Sequence, residues 1–129
     1  MSFLENCWYV ASWAGELTRE PVARTILDHP VVLYRRADGT PVALEDRCCH
    51  RALPLSMGTI EGDDLRCGYH GLKFDPKGAC IEVPGQSTIP PDAMVPSYPV
   101  AEKWGAVWIW MGDSKSADVA SIPDVFWLD

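Results

Sequence analysis

The sequence predicts an all-β domain. Eleven prolines and ten glycines punctuate 129 residues, too often for long helices. Six tryptophans sit within or beside short runs of β-branched and aromatic residues, the composition of half-buried strands. No helical period of useful length occurs before residues 116–120, where it is weak. With 47% hydrophobic residues and no low-complexity tract or internal repeat, the chain reads as one globular domain long enough to bury its own core.

Each element follows from local pattern. Residues 7–13 (CWYVASW) are aromatic and β-branched and predict the first strand, followed by a polar connection over 15–21. Residues 22–27 (VARTIL) and 31–36 (VVLYRR) predict a pair of strands about a turn at Asp28-His29-Pro30. Asp38-Gly39 is a strong hairpin signal leading into a strand at 42–45. A loop over 47–57, a short strand at 64–66, a second loop over 67–72 and extended chain at 73–75 come next. Pro76-Lys77-Gly78 turns the chain into a strand at 79–83, and the proline-rich stretch 86–96 predicts an irregular loop. Residues 98–103 and 106–111 predict a final hairpin around Trp104-Gly105. In it Val107, Ile109 and Met111 share one face, and Trp108 and Trp110 pack on the other.

A formal charge of −7 argues against nucleic acid or an anionic membrane as partner; it suits a solvated surface, or one docking to a basic face. Neither a signal-peptide pattern nor an apolar run long enough to span a bilayer is present. Of five cysteines, two belong to the motif below and three have no evident pairing logic. A reducing cytoplasm is therefore expected.

Within residues 46–74 two segments each pair a cysteine with a histidine: Cys48-x-His50 and Cys67-x-x-His70. Gly58 follows the first pair and Gly68 and Gly71 flank the second, which suits tightly turning loops. Thiolate and imidazole together suit zinc or an iron–sulfur centre. A zinc ion with two thiolates and two neutral imidazoles is a closed, neutral structural site. A [2Fe–2S] cluster with both thiolates on one iron and both imidazoles on the other is also neutral when oxidised, and is the Rieske arrangement. Zinc modules usually present a Cys–Cys knuckle and a later His–His pair. Here each segment carries one of each, which favours two loops gripping opposite ends of a cluster.

These residues resemble a known family. Cys48-x-His50-Arg51, Pro54-Leu55-Ser56 and Cys67-x-Tyr69-His70-Gly71 are similar to the Rieske domain of ring-hydroxylating and demethylating oxygenase α-subunits, the group that includes vanillate O-demethylase and dicamba monooxygenase. The opening NCWYVAS, the hairpin end LEDRC, CGYHGLKFD, VPGQ at 83–86 and the late WGAVWIWMGD extend the resemblance over nearly the whole chain. Cys49 and Gly68 depart from it, each standing where proline is common, yet neither removes a ligand.

The resemblance implies a Rieske-type antiparallel β-sandwich over 1–113 with a small inserted cluster-binding β-subdomain at about 46–86, then a tail over 114–129 leading toward a C-terminal catalytic domain. Cys48 and Cys67 are expected to ligate the buried iron and His50 and His70 the outer iron, through Nδ1 by resemblance. The imidazoles would couple reduction to proton uptake near neutral pH. Arg51 would steady its loop or meet a neighbouring subunit, and Tyr69 would aim its hydroxyl at a cysteine sulfur or simply pack. Pro84 to Gln86 resembles a third loop that would cover the cluster. Cys7 and Cys80 read as buried small hydrophobes.

The resemblance further implies electron transfer toward a mononuclear Fe(II) held by two histidines and a carboxylate, in a catalytic domain of the same chain or of a neighbouring subunit in a homotrimer. A reductase or ferredoxin would be the donor. Only three histidines occur, and with His50 and His70 on the cluster His29 alone remains, so no catalytic triad can be assembled within these residues. The apolar ending IPDVFWLD suggests a cut at a domain boundary. A stand-alone Rieske ferredoxin is the alternative reading, and a zinc-stabilised interaction module a more remote one.

Overall fold

The computed structural model describes residues 6–48, 53–68, 71–85, 87–90 and 92–122. Their architecture is all-β: eleven strands in three antiparallel sheets, with short 3-10 turns as the helical elements among the described residues. Strand β1 (Cys7–Trp13) pairs with β11 (Ala106–Met111), which pairs with β10 (Val100–Lys103). The second sheet runs β2 (Val22–Ile26), β3 (His29–Arg35), β4 (Pro41–Glu45) and β9 (Ser97–Tyr98). The third is formed by β5 (Thr59–Glu61), β6 (Asp64–Arg66), β7 (Lys73–Phe74) and β8 (Cys80–Glu82).

The second sheet is the middle layer. Alternation along β3 sends Val31 and Leu33 one way and Val32 and Tyr34 the other, and all four are fully buried. Val31, Leu33 and Ala43 meet Ala11, Val107, Ile109 and Met111 of the first sheet, making the sandwich core. Val32, Tyr34, Val42 and Leu44 instead meet Leu55, Leu65, Leu72 and Phe74 beneath the third sheet. A strand covered on both faces needs apolar residues at successive positions, which is why VVLY runs unbroken.

The first sheet is covered on its outer face as well. Trp8, Trp108 and Trp110 form a layer there with Ile122, and Trp8 and Trp110 meet edge to face at 5.4 Å. Each indole N–H donates to a carbonyl: Trp8 to Asp118, Trp108 to Lys103 and Trp110 to Asp113. The packing role expected for Trp108 and Trp110 is what they have, and Trp8 shares it. Ile122, at the start of the apolar ending, finds its partners earlier in the chain, on this layer; residues 123–129 lie outside the described residues.

Several local expectations change. The β2–β3 turn is Leu27-Asp28, not Asp28-His29-Pro30: Ile26 pairs with His29, and Leu27 and Asp28 both have positive φ (50° and 65°). Neither residue is the glycine or asparagine that normally announces such a turn. Strand β5 was not expected; it pairs with β6 around Gly62-Asp63. The expected strand over 98–103 splits at Pro99: Tyr98 pairs with Ala43 in the middle sheet and Val100 with Ile109 in the first. The described residues of 86–96 form no named strand, yet those between the prolines still pair. Val95 N–H donates to Gly78, Cys80 N–H to Ala93, and Ala79 bridges Met94. Cys80 is buried as expected, whereas Cys7 is only partly so. The turns at Ser114–Ser116 and Val119–Ser121 are 3-10, not a longer helix.

Candidate metal centre

The two cysteine segments are closed in the same way. After β4, Cys48 N–H donates to the Leu53 carbonyl at 2.7 Å; after β6, Cys67 N–H donates to the Leu72 carbonyl at 2.7 Å. Each loop is thus pinched shut at its cysteine by the carbonyl five residues on. Cys48 and Cys67 are 4% and 3% exposed and belong to one core with Leu55, Leu65, Leu72 and Phe74. The structure therefore brings both predicted thiol ligands into one buried apolar environment. His50, Arg51, Tyr69 and His70 lie outside the described residues, as do Cys49 and Gln86.

The glycines act by size as much as by torsion. A side chain on Gly58 would run into the backbone of Arg66, with the Arg66 carbonyl carbon 3.0 Å and the Leu55 oxygen 3.2 Å from its Cβ. One on Gly68 would meet the Met57 carbonyl oxygen at 2.9 Å. The two loops come together at these two positions. Gly71 has the positive φ (77°) expected of a turn residue, and Pro84 covers it, with Cγ 3.1 Å from the position of a Cβ. Pro84, the first residue of the expected third loop, thus packs on the second loop at Gly71.

Two polar clamps escaped the sequence reading. Asp46 is 7% exposed, and its carboxylate accepts from Ser56 N–H and Ser56 Oγ–H, both at 2.7 Å, closing the first loop across ten residues. Arg66, one residue before Cys67, donates from Nη1 to the Gly71 carbonyl at 2.6 Å and pairs with Glu82 at 2.7 Å. Its Nε and Nη2 hold Glu61 as a two-pronged pair at 2.7 and 3.1 Å, and Lys73 adds to Glu61 at 3.3 Å. The Arg66 hydrogen bonds, then Lys73, hold the Glu61 carboxyl below its usual range; Glu61, then Glu82, push the Arg66 guanidinium up. Burial pushes the Tyr34 phenol up, and its hydroxyl donates to the Asp63 carbonyl, tying the middle sheet to the β5–β6 turn. The signal for the Arg66 cluster lay in the register: Arg66 stands opposite Lys73, and Lys73 opposite Glu82. Pairing register is not written in residue type, and Glu61 could not join the cluster on paper because β5 was not expected.

Three antiparallel sheets, with two loops pinched at buried cysteines after β4 and after β6, define a class of protein: a β-sandwich with a loop-borne pair of buried cysteines. A family profile for the Rieske [2Fe-2S] domain matches residues 7–99, and the chain belongs to that family. It is 56% identical over 128 residues to the toluene-4-sulfonate monooxygenase system iron-sulfur subunit of Comamonas testosteroni, covering 98% of this chain and 37% of that protein. It is 47% identical to the oxygenase component of dicamba O-demethylase from Stenotrophomonas maltophilia, covering 96% and 37% respectively. The crystal structure of apo dicamba monooxygenase superposes with a TM-score of 0.95 at 44% identity, over 99% of this chain and 40% of that one. The chain spans just over a third of the curated relatives it matches. Among the described residues no helix is long and apolar enough to cross a membrane.

Among the described residues, Cys48 and Cys67 fit the cofactor that the family name carries. Two cysteines buried in apolar surroundings, on loops held at equal pinch points, can offer thiolates to one iron, and the glycines let the loops close to that point.

Proposed function

We propose that this chain carries electrons as the N-terminal Rieske domain of an aromatic-compound oxygenase or demethylase. Cys48 and Cys67 would hold one iron of a [2Fe–2S] cluster, and His50 and His70 the other. The cluster, when bound, supplies a one-electron acceptor and donor in the range of about −150 to +300 mV known for Rieske centres. The chain's own residues keep the thiolates in a dry core, close each loop through Asp46–Ser56 and Arg66–Gly71, and cover the second loop with Pro84. Arg51 and Tyr69 are kept as supporting residues on the same reading.

The observation that carries the proposal is the burial of Cys48 and Cys67 in one core by two loops closed alike. Mixed Cys–His order, together with the family match, favours the cluster over zinc. The oxygenase-component names of the relatives favour an oxygenase domain over a stand-alone ferredoxin. A reductase or ferredoxin would supply electrons. A mononuclear iron in a catalytic domain of the same or a neighbouring subunit of a homotrimer would receive them. One related structure is of dicamba monooxygenase with non-heme iron and dicamba, at a TM-score of 0.93. No catalytic residue is assigned here: beyond His50 and His70 the chain offers only His29, exposed at the start of β3. A cytoplasmic location is part of the same reading.

The test is metal and sulfide analysis of the purified chain with EPR of its reduced form. About two irons and two acid-labile sulfides per chain, with a Rieske signal, are expected. A colourless protein holding one zinc and no labile sulfide overturns the redox reading.

A further inference from the structure

We propose that Arg66 is a positioning residue for the second ligand loop, fixing the carbonyl that follows His70 in sequence and tying that loop to the segment that covers it. The inference rests on the [2Fe–2S] reading above. From Arg66 the chain runs through Cys67 to Leu72 and closes twice: Cys67 N–H on the Leu72 carbonyl at 2.7 Å, and Arg66 Nη1 on the Gly71 carbonyl at 2.6 Å. The same Nη1 binds Glu82 at 2.7 Å, on the strand that leads into Pro84, and Pro84 covers Gly71. One guanidinium therefore joins the base of the loop, its exit and its cover.

The energetics separate positioning from plain stabilisation. The side chains of Arg66, Glu61, Glu82 and Lys73 are 24%, 43%, 49% and 19% exposed, and ion pairs so open to water stabilise a fold only slightly. Such a network does little for global stability. A planar guanidinium gripped on two sides by carboxylates nevertheless holds its remaining donor in one direction, and that donor meets the Gly71 carbonyl. Its positive charge also opposes Glu61 and Glu82. Without it Glu82 would lose this partner and Glu61 would keep only Lys73, and adding an electron nearby would become harder.

The experiment compares Arg66→Gln and Arg66→Lys in the full chain after iron and sulfide loading. Arg66→Gln should lose its cluster to a chelator about ten-fold faster, the scale seen when supporting hydrogen bonds around metal ligands are removed. Its midpoint potential should fall, while the apo chain unfolds within about 4 °C of the parent. Arg66→Lys keeps the charge without the fork, so the potential should return toward the parent while cluster loss stays fast. Should Arg66→Gln fail to fold, Glu82→Gln cuts the tie to the covering strand and leaves the Glu61 pair, and should still hasten cluster loss. Parent-like retention and potential in Arg66→Gln, or parent-like retention in Glu82→Gln, overturn the role of Arg66 alone. A parent chain with no labile sulfide overturns the cluster reading, and the role of Arg66 with it.

Discussion

Replacing Asp46 by alanine removes the clamp that closes the first ligand loop. The carboxylate is 7% exposed and accepts two hydrogen bonds from Ser56, each 2.7 Å long. Hydrogen bonds to a charged group stabilise by about 1.5–3 kcal/mol each, so the gross loss is about 3–6 kcal/mol. Alanine no longer has to bury a charge, and that relief offsets part of the loss. A net destabilisation of about 2–3 kcal/mol follows, or about 8–12 °C in the melting temperature of a domain this size. Ser56→Ala removes only the hydroxyl bond to the buried carboxylate and should cost about 1.5–3 kcal/mol. Because the two residues share that bond, the double variant should be more stable than the sum of the singles by about 1.5–3 kcal/mol. Urea unfolding of the apo chains measures all three. If Asp46→Ala unfolds within about 0.5 kcal/mol of the parent, or if the two losses simply add, the clamp contributes nothing and the account of this loop is wrong.

Gly58→Ala should destabilise by about 1–3 kcal/mol, because its Cβ meets the backbone of Arg66, which cannot swing aside. Gly15→Ala, with nothing within 4 Å, is the matched control and should be neutral by thermal melting. Removing the residues after Asp113 strips Ile122 and the Asp118 and Ser121 acceptors from the Trp8–Trp110 layer. Red-shifted tryptophan emission and aggregation are expected, and an unchanged spectrum would count against the tail as part of the domain. The Glu61 carboxyl is held below its ordinary value of 4.5, first by Arg66 and then by Lys73. Its contribution is therefore complete above that pH and lost as the pH drops through the lower folded value. Glu61→Gln should flatten that part of the acid unfolding curve, and an unaltered curve would show the pair to be idle.

The resemblance carried by Cys48-x-His50 and Cys67-x-x-His70 was legible because ligand identity and spacing are properties of the chain itself. Strands such as β1 and β11 were legible for a related reason: CWYVASW and AVWIWM declare themselves by composition, and alternation assigned Val107, Ile109 and Met111 to one face. The register-dependent features were not. Leu27-Asp28 adopts a hairpin turn whose positive φ Leu27 disfavours, because the flanking strands are held by the middle sheet. The split at Pro99 depends on which sheet each neighbour can reach, and β5 exists only because β6 lies beside it.

The sequence by itself determined the chemistry that the loops can offer and the all-β character of the chain, since both depend on residue type and short-range pattern. Only the tertiary structure decided that β3 is buried on both faces, that Gly58 and Gly68 let two loops meet, and that Asp46 and Arg66 close them. Those facts depend on which atoms approach across sheets, and a side chain's partner there is set by register and packing, not by its neighbours in the chain.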